Sequence, residues 1–393
     1  MIKPKLWTRD FVFLAIANLL MAIAFYFMLP VLPVYLVDKL GATRSEIGLV
    51  LSFYTIAALA IRLFSGWAID TYGRKTIYLA AYFLFSLIFI SYPFAFTIYL
   101  FLLVRFVHGL TWGVLTTSSS TIAVDIIPPS RRGEGIGIFG LSMTIGMAIG
   151  PMLAIFITGE SRYFLLFTSA IATTIIGLVL ALMVRYPKFT SLNSARSLKL
   201  KGLIEKSAIP VSINMMMIMF TYGGVLSFIS LYGKEIGIEN SGLFFLILSL
   251  GIGFSRIFSG KIFDKSGPKT ISIFGFLSLI IGFPILSLIN NSLGFHLSAA
   301  ILGLGFGVIM PTFQAMVNNL VEPSRRGAAN SSFFTAFDLG IGFGMIGTGV
   351  LSQWFGFSYT FLLFTIIILI ALIIFQLYSS FHYKKHISEV VSG

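Results

Sequence analysis

Twelve stretches of this chain are long and apolar enough to cross a lipid bilayer, and they constrain its fold more than any other feature. They lie at about 11–36, 46–68, 76–96, 98–124, 134–158, 162–184, 208–233, 241–262, 270–290, 292–319, 328–354 and 357–381. A hydrocarbon core ~30 Å thick needs roughly 20 residues of helix, so each run reads as one membrane-spanning helix. The first follows Lys3, Lys5 and Arg9 as a secretory signal would. It is too long for a signal core and has no small-residue cleavage site after it, so it reads as the first crossing. Only 10% of residues are charged and 57% are hydrophobic, where a soluble domain carries about 25% charged residues.

The chain also repeats itself. Arg62 to Ile77, RLFSGWAIDTYGRKTI, returns 194 residues later as Arg256 to Ile271, RIFSGKIFDKSGPKTI, with 9 of 16 positions identical. At the same offset Gly109 and Gly113 match Gly303 and Gly307, Gly146 and Gly150 match Gly340 and Gly344, and Pro129-Ser-Arg-Arg-Gly133 matches Pro323-Ser-Arg-Arg-Gly327. A repeat at half the chain length means two copies of one unit. The long polar stretch 185–207 divides the chain into a six-helix bundle at 1–184 and another at 208–381, followed by a tail at 382–393. Six helices per copy give both copies the same orientation, the arrangement of parallel repeats with a substrate cavity expected between them.

The net charge of +13 suggests nucleic acid, but the basic residues sit in short loops between apolar runs, where they set topology. One side collects 20 Lys and Arg and the other 4. That asymmetry puts both termini and the 185–207 linker in the cytoplasm, and no nucleic-acid partner is expected. There are no cysteines, which excludes disulfides and thiolate metal sites. No HExxH, GxSxG or GxxxxGK[ST] occurs, so no metal, no cofactor and no enzyme activity is expected.

Gly66-x-x-x-Asp70-x-x-Gly73-Arg74-Lys75, between the second and third helices, resembles the signature loop of the major facilitator superfamily. Pro30-Val-Leu-Pro33 and Gly146-x-x-x-Gly150-Pro151 resemble motifs of its twelve-helix drug:proton antiporters, although Leu153 and Ala154 stand where those carry a glycine pair. Arg105-x-x-His108-Gly109 is similar to the family's Arg-x-x-Gln-Gly, with His in place of Gln. The resemblance covers nearly the whole chain. It implies an all-α membrane protein of twelve helices that moves a small organic molecule across a bacterial inner membrane as a monomer, by alternating access, as a proton-coupled efflux antiporter. Uptake of a small metabolite is the alternative, and a receptor or scaffold without transport a remote one.

Several residues follow as candidates. Gly66 and Gly73 permit close approach and a sharp turn. Asp70 and Asp264 suit a helix N-terminus, which attracts a carboxylate; by family analogy these are the starts of the eleventh and fifth helices. Arg74 and Asp125 are candidates for an ion pair, because their repeat positions hold Pro268 and Asn319 and both charges are lost together. Solvated loop charges that never meet are the other reading. Asp338 lies ~15 Å into its helix, and its repeat position holds Thr144. A charge there costs roughly 2.5–3.5 kcal/mol, so Asp338 reads as a proton acceptor or a structural carboxylate. Arg105 would meet an anionic group or snorkel outward; His108, one turn on, would relay protons or simply pack. Asn18, Tyr26, Asn214 and Tyr222 are candidate cavity-lining groups. Asp70→Asn is expected to abolish transport while membrane insertion stays normal, checked by transport assay beside surface expression.

Overall fold

The computed structural model describes residues 5–128, 131–159, 162–186, 205–238, 241–321 and 326–392. Among them there are helices and no strands. In chain order these are α1 (Arg9–Leu40), α2 (Arg44–Tyr72), α3 (Arg74–Ile88), a 3-10 turn (Phe89–Phe94), α4 (Ile98–Ile126), α5 (Arg132–Thr158) and α6 (Tyr163–Leu182). Then come α7 (Ile209–Glu235), α8 (Gly242–Leu288), α9 (Ser292–Asn319), α10 (Arg326–Ile374), a π turn (Phe375–Ser379) and α11 (Ser380–Ser392). Among the described residues ten helical segments are long and apolar enough to cross a membrane, and the first turns of α8, Gly242–Arg256, are apolar too.

Two of these elements each contain two helices that meet at a glycine. The runs expected at 241–262 and 270–290 meet in α8 at Gly267 (φ 74°, ψ 171°), and those expected at 328–354 and 357–381 meet in α10 at Gly356 (φ 79°, ψ 167°). At each glycine the backbone leaves the helical region, so one helix ends and the next begins across a sharp turn. Gly73 has the same kind of backbone (φ 90°, ψ 139°) and lies 194 residues before Gly267. Side-chain-bearing residues take that conformation only under strain. The expected third crossing, 76–96, is an α-helix to Ile88 and a 3-10 turn over the Pro93 region. The expected tail at 382–393 is largely the helix α11.

Contacts divide the chain into two compact units, Met1–Ala42 with Phe53–Leu198, and Thr43–Ser52 with Lys199–Gly393. In the first, α1 packs on α5 and α6, and α3 on α4. In the second, α8 packs on α9 and α10 on α7. Residues 43–52, the first turns of α2, belong to the second unit. There Arg44 donates to Glu235 (2.5 Å) and to the Ser352 carbonyl (2.6 Å), with its guanidinium 4.1 Å from the Phe357 ring. A Thr43–Glu46 capping box starts this helix, with the Thr43 N–H on Glu46 at 2.8 Å and the Glu46 N–H on Thr43 at 3.3 Å.

Helices come close at glycine, and these contacts repeat. Gly109 and Gly113 of α4 press on the backbone of Tyr54 and Ala58 in α2; Gly303 and Gly307 of α9 press on Leu248 and Ile252 in α8. Gly146 and Gly150 of α5 meet Ala22 and Tyr26 in α1; Gly340 and Gly344 of α10 meet Met216 and Phe220 in α7. Each partner, like each glycine, is displaced by 194 residues. The internal repeat is therefore a repeat of packing as well as of sequence. Gly150→Val and Gly344→Val should each cost about 1–3 kcal/mol by overpacking. Gly253→Ala, whose Cβ would meet nothing within 4 Å, should leave the thermal midpoint in detergent unchanged or raised.

Candidate substrate and coupling site

α4 starts at Thr97, whose side chain accepts the Leu100 N–H (3.2 Å). This fixes the register of Arg105, His108 and Trp112, which at spacings of three and four share one helix face. Gly109 and Gly113 hold α4 against α2, which brings Tyr54 beside that face. The 3-10 turn after α3 supplies Tyr92, fully buried. Arg105 Nη1 donates to Tyr92 Oη (3.3 Å), and Tyr92 Oη lies 2.8 Å from His108 Nδ1. The tyrosine oxygen thus accepts from the guanidinium and shares one hydrogen bond with the imidazole, whose direction depends on the tautomer of His108. The guanidinium stands 4.2 Å from the centre of the Tyr54 ring. Such a cation–π contact contributes about 2 kcal/mol when desolvated.

Aromatic rings close the cluster. Phe85 and Phe89 lie 4.5 and 4.6 Å from the imidazole, and Phe25 stacks on Trp112 at 4.3 Å. Arg105 and His108 are each only 1% exposed. The second unit does without this cluster. At the 194-residue offset Arg105, His108, Tyr92 and Tyr54 become Ala299, Leu302, Leu286 and Leu248, although the glycine contacts around them persist. A six-helix unit of this design therefore packs with apolar residues at all four places.

The other candidates are dispersed. Asn18 donates to Ser142 (2.6 Å) and accepts from Ser119 (3.2 Å), tying α1 to α5 and α4. Tyr26 is buried, its Cβ against Gly150. Asn214 donates to Ser379 (2.7 Å) and the Pro210 carbonyl (3.2 Å); Tyr222 packs edge-on to Phe306 at 4.7 Å. Asp338 is half-buried in α10. Tyr92 and Tyr54 were missed from sequence because no periodicity links them to α4. Their only signal was tyrosine in one copy where the other has leucine.

At the opposite end of α3, Arg74 meets Asp125 in an ion pair that joins α3 to α4. Lys75 Nζ stands 5.8 Å from the Tyr186 ring. At the repeat positions, Asn319 instead donates to Tyr383 (3.3 Å). Asp70 lies on α2 and Asp264 on α8, and their side chains, like the surroundings of Gly66, fall outside the described ones. Pro151 lies within α5 next to the Gly150 contact.

A family model for the Major Facilitator Superfamily matches residues 14–337 and, overlapping, 211–389. The chain belongs to the Major Facilitator Superfamily. It is a multi-pass membrane transporter of small molecules, and this is a family of transporters and not of enzymes. An uncharacterised MFS-type transporter of Methanocaldococcus jannaschii is 26% identical over 84% of this chain and 88% of its own length. The staphylopine export protein of Staphylococcus aureus is 23% identical over 85% and 87%. The multidrug resistance protein MdtG of Rahnella is 24% identical over 80% of each. Among solved structures, a bacterial homologue of the lysosomal transporter Spinster superimposes with a TM-score of 0.82 at 15% identity, over 98% of this chain and 99% of that one. A D-xylose–proton symporter gives 0.74 at 16% identity, over 93% and 96%.

In this transporter the Tyr92 hydroxyl joins Arg105 to His108. Tyr92→Phe should preserve folding yet slow transport about 5- to 100-fold, the equivalent of about 1–3 kcal/mol for groups left without their partner. Initial rates normalised to reconstituted protein provide the check.

Proposed function

We propose that this chain is a secondary active transporter that exports a small organic molecule in exchange for protons, by alternating access. One observation carries the reading: two units share their glycine contacts, and only the first contains the buried Arg105–Tyr92–His108 cluster. The packing is common to both units, so this buried guanidinium–phenol–imidazole cluster in one of them is not needed to build the bundle and is explained by use. Asp338, which has an uncharged repeat counterpart, is the proton-accepting carboxylate, and His108 takes part in coupling. Arg105, with Asn18, Tyr26, Asn214 and Tyr222, governs the substrate path. Gly66, Asp70, Gly73, Arg74, Lys75, Asp125 and Asp264 form the cytoplasmic gate, and Gly146, Gly150 and Pro151 the sliding face of α5.

Twelve crossings with both termini in the cytoplasm complete the proposal. They are obtained by dividing α8 at Gly267 and α10 at Gly356. The two bundles are 1–184 and 208–381, joined by 185–207, and the protein acts as a monomer in a bacterial inner membrane. Export is favoured over uptake by the names of the relatives, staphylopine export and multidrug resistance. Uptake, the second reading, has the fold likeness to a D-xylose–proton symporter in its favour.

The test uses purified protein in liposomes carrying a luminal pH dye, a panel of amphipathic cations and organic anions, and an imposed proton gradient with acid inside. A substrate exchanged for protons raises luminal pH as it enters. A substrate carried with protons lowers it, which would reverse the assigned direction. Asp338→Asn should remove the pH signal while substrate counterflow continues, because the states still interconvert but no longer differ in proton affinity. An unchanged pH signal would end that residue's role.

A further inference from the structure

The first unit contains a cavity of about 490 Å³ lined by Tyr35, Lys39, Pro93, Arg162, Tyr163, Phe164, Leu165 and Phe167. It opens where α1 ends, where the 3-10 turn after α3 ends, and where α6 begins. It is thus at the far end of α3 from Gly73 and plays no part in the gate or the Arg105 cluster. Its lip is basic. Lys39 and Arg162 are both exposed, and neither is in an ion pair among the described residues. Beside them, among the described residues, Asp38 accepts a hydrogen bond from Tyr163. The floor is apolar: Phe167 is buried between Tyr35 at 5.5 Å and Tyr92, on which it stacks at 5.6 Å.

The surroundings set the depth of this cavity. Phe94, Phe96, Tyr99, Phe156 and Phe164 are between 61% and 84% exposed at this end of the unit. These apolar rings face lipid at the ends of spanning helices, and Tyr99, with its polar hydroxyl, is of the kind that sits at the headgroup level of a bilayer. At that level two cations above an aromatic floor match a lipid phosphate above its acyl chains, the charge-assisted contact that guanidinium and ammonium groups make with phosphate.

We propose that this cavity binds an anionic phospholipid, its phosphate between Lys39 and Arg162 and an acyl chain against Phe164, Leu165 and Phe167. The occupant rests on Phe167, and Phe167 rests on Tyr92, so the lipid also steadies the tyrosine that joins Arg105 to His108. The inference does not depend on the direction of transport or on proton coupling.

The test is thermal unfolding of the delipidated full-length protein in detergent, titrated with phosphatidylglycerol, phosphatidylcholine or inorganic phosphate. Phosphatidylglycerol should raise Tm in a saturable way, as a ligand of the folded state does, and the other two should not. In the Lys39→Gln/Arg162→Gln double variant the apparent affinity should fall about thirtyfold, from the loss of two basic contacts. Equal stabilisation by phosphatidylcholine, or an unchanged response in the double variant, would overturn the proposal. Equal stabilisation by inorganic phosphate would make this a solute-anion site and overturn the lipid assignment. Should the double variant not fold, a photoactivatable phosphatidylglycerol on the unmodified protein decides. Crosslinks within 35–39 or 162–167 support the site, and crosslinks only elsewhere refute it.

Discussion

Backbone contact between helices at glycine is the interaction on which both units of this transporter depend. Lipid is as apolar as leucine, so burying side chains gains little inside a bilayer, and helices associate through close van der Waals packing. Gly109, Gly113, Gly146 and Gly150 in one unit, and Gly303, Gly307, Gly340 and Gly344 in the other, place α4 on α2, α5 on α1, α9 on α8 and α10 on α7. A side chain at most of these places would overlap a neighbouring backbone. The contact is local and apolar, and it leaves the remaining helix faces free to vary.

That freedom accommodates the cluster on α4. A buried arginine costs energy in hydrocarbon, and the cost is offset here by the Tyr54 ring, the Tyr92 hydroxyl and a ring of phenylalanines. The same cage surrounds His108, so guanidinium, phenol and imidazole form one chain of hydrogen bonds. Leu286, Leu302 and Leu248 show the cheaper solution at the equivalent places of the second unit. The two copies thus act as an internal control: what they share builds the bundle, and what they do not share is available for transport.

Legibility from sequence followed the range of the interaction involved. The joint absence of charge at Pro268 and Asn319 pointed to Arg74 and Asp125 as partners, and the structure places those two in contact. Arg105 and His108 were readable because three residues of helix put them on one face. Tyr54 and Tyr92 were not, since they come from α2 and from the turn after α3, and only packing brings them to α4. Asn18, Tyr26, Asn214 and Tyr222 were chosen as polar groups in apolar helices, and each proved to be buried among neighbouring helices of its own unit. The breaks at Gly267 and Gly356 were legible because a glycine between two apolar runs is where a chain can take the positive φ that ends one helix and starts the next.

By itself the sequence determined that this is a helical membrane protein made of two related units. Hydrophobic length and a 194-residue repeat are properties of the chain alone and need no knowledge of which helices touch. Tertiary structure decided which glycine meets which backbone, that a tyrosine bridges Arg105 and His108, and that Lys39 and Arg162 share the lip of one cavity. The physical reason is that these contacts join residues distant in the chain, and the angle and register of helix packing, which place them, are not encoded in any single segment.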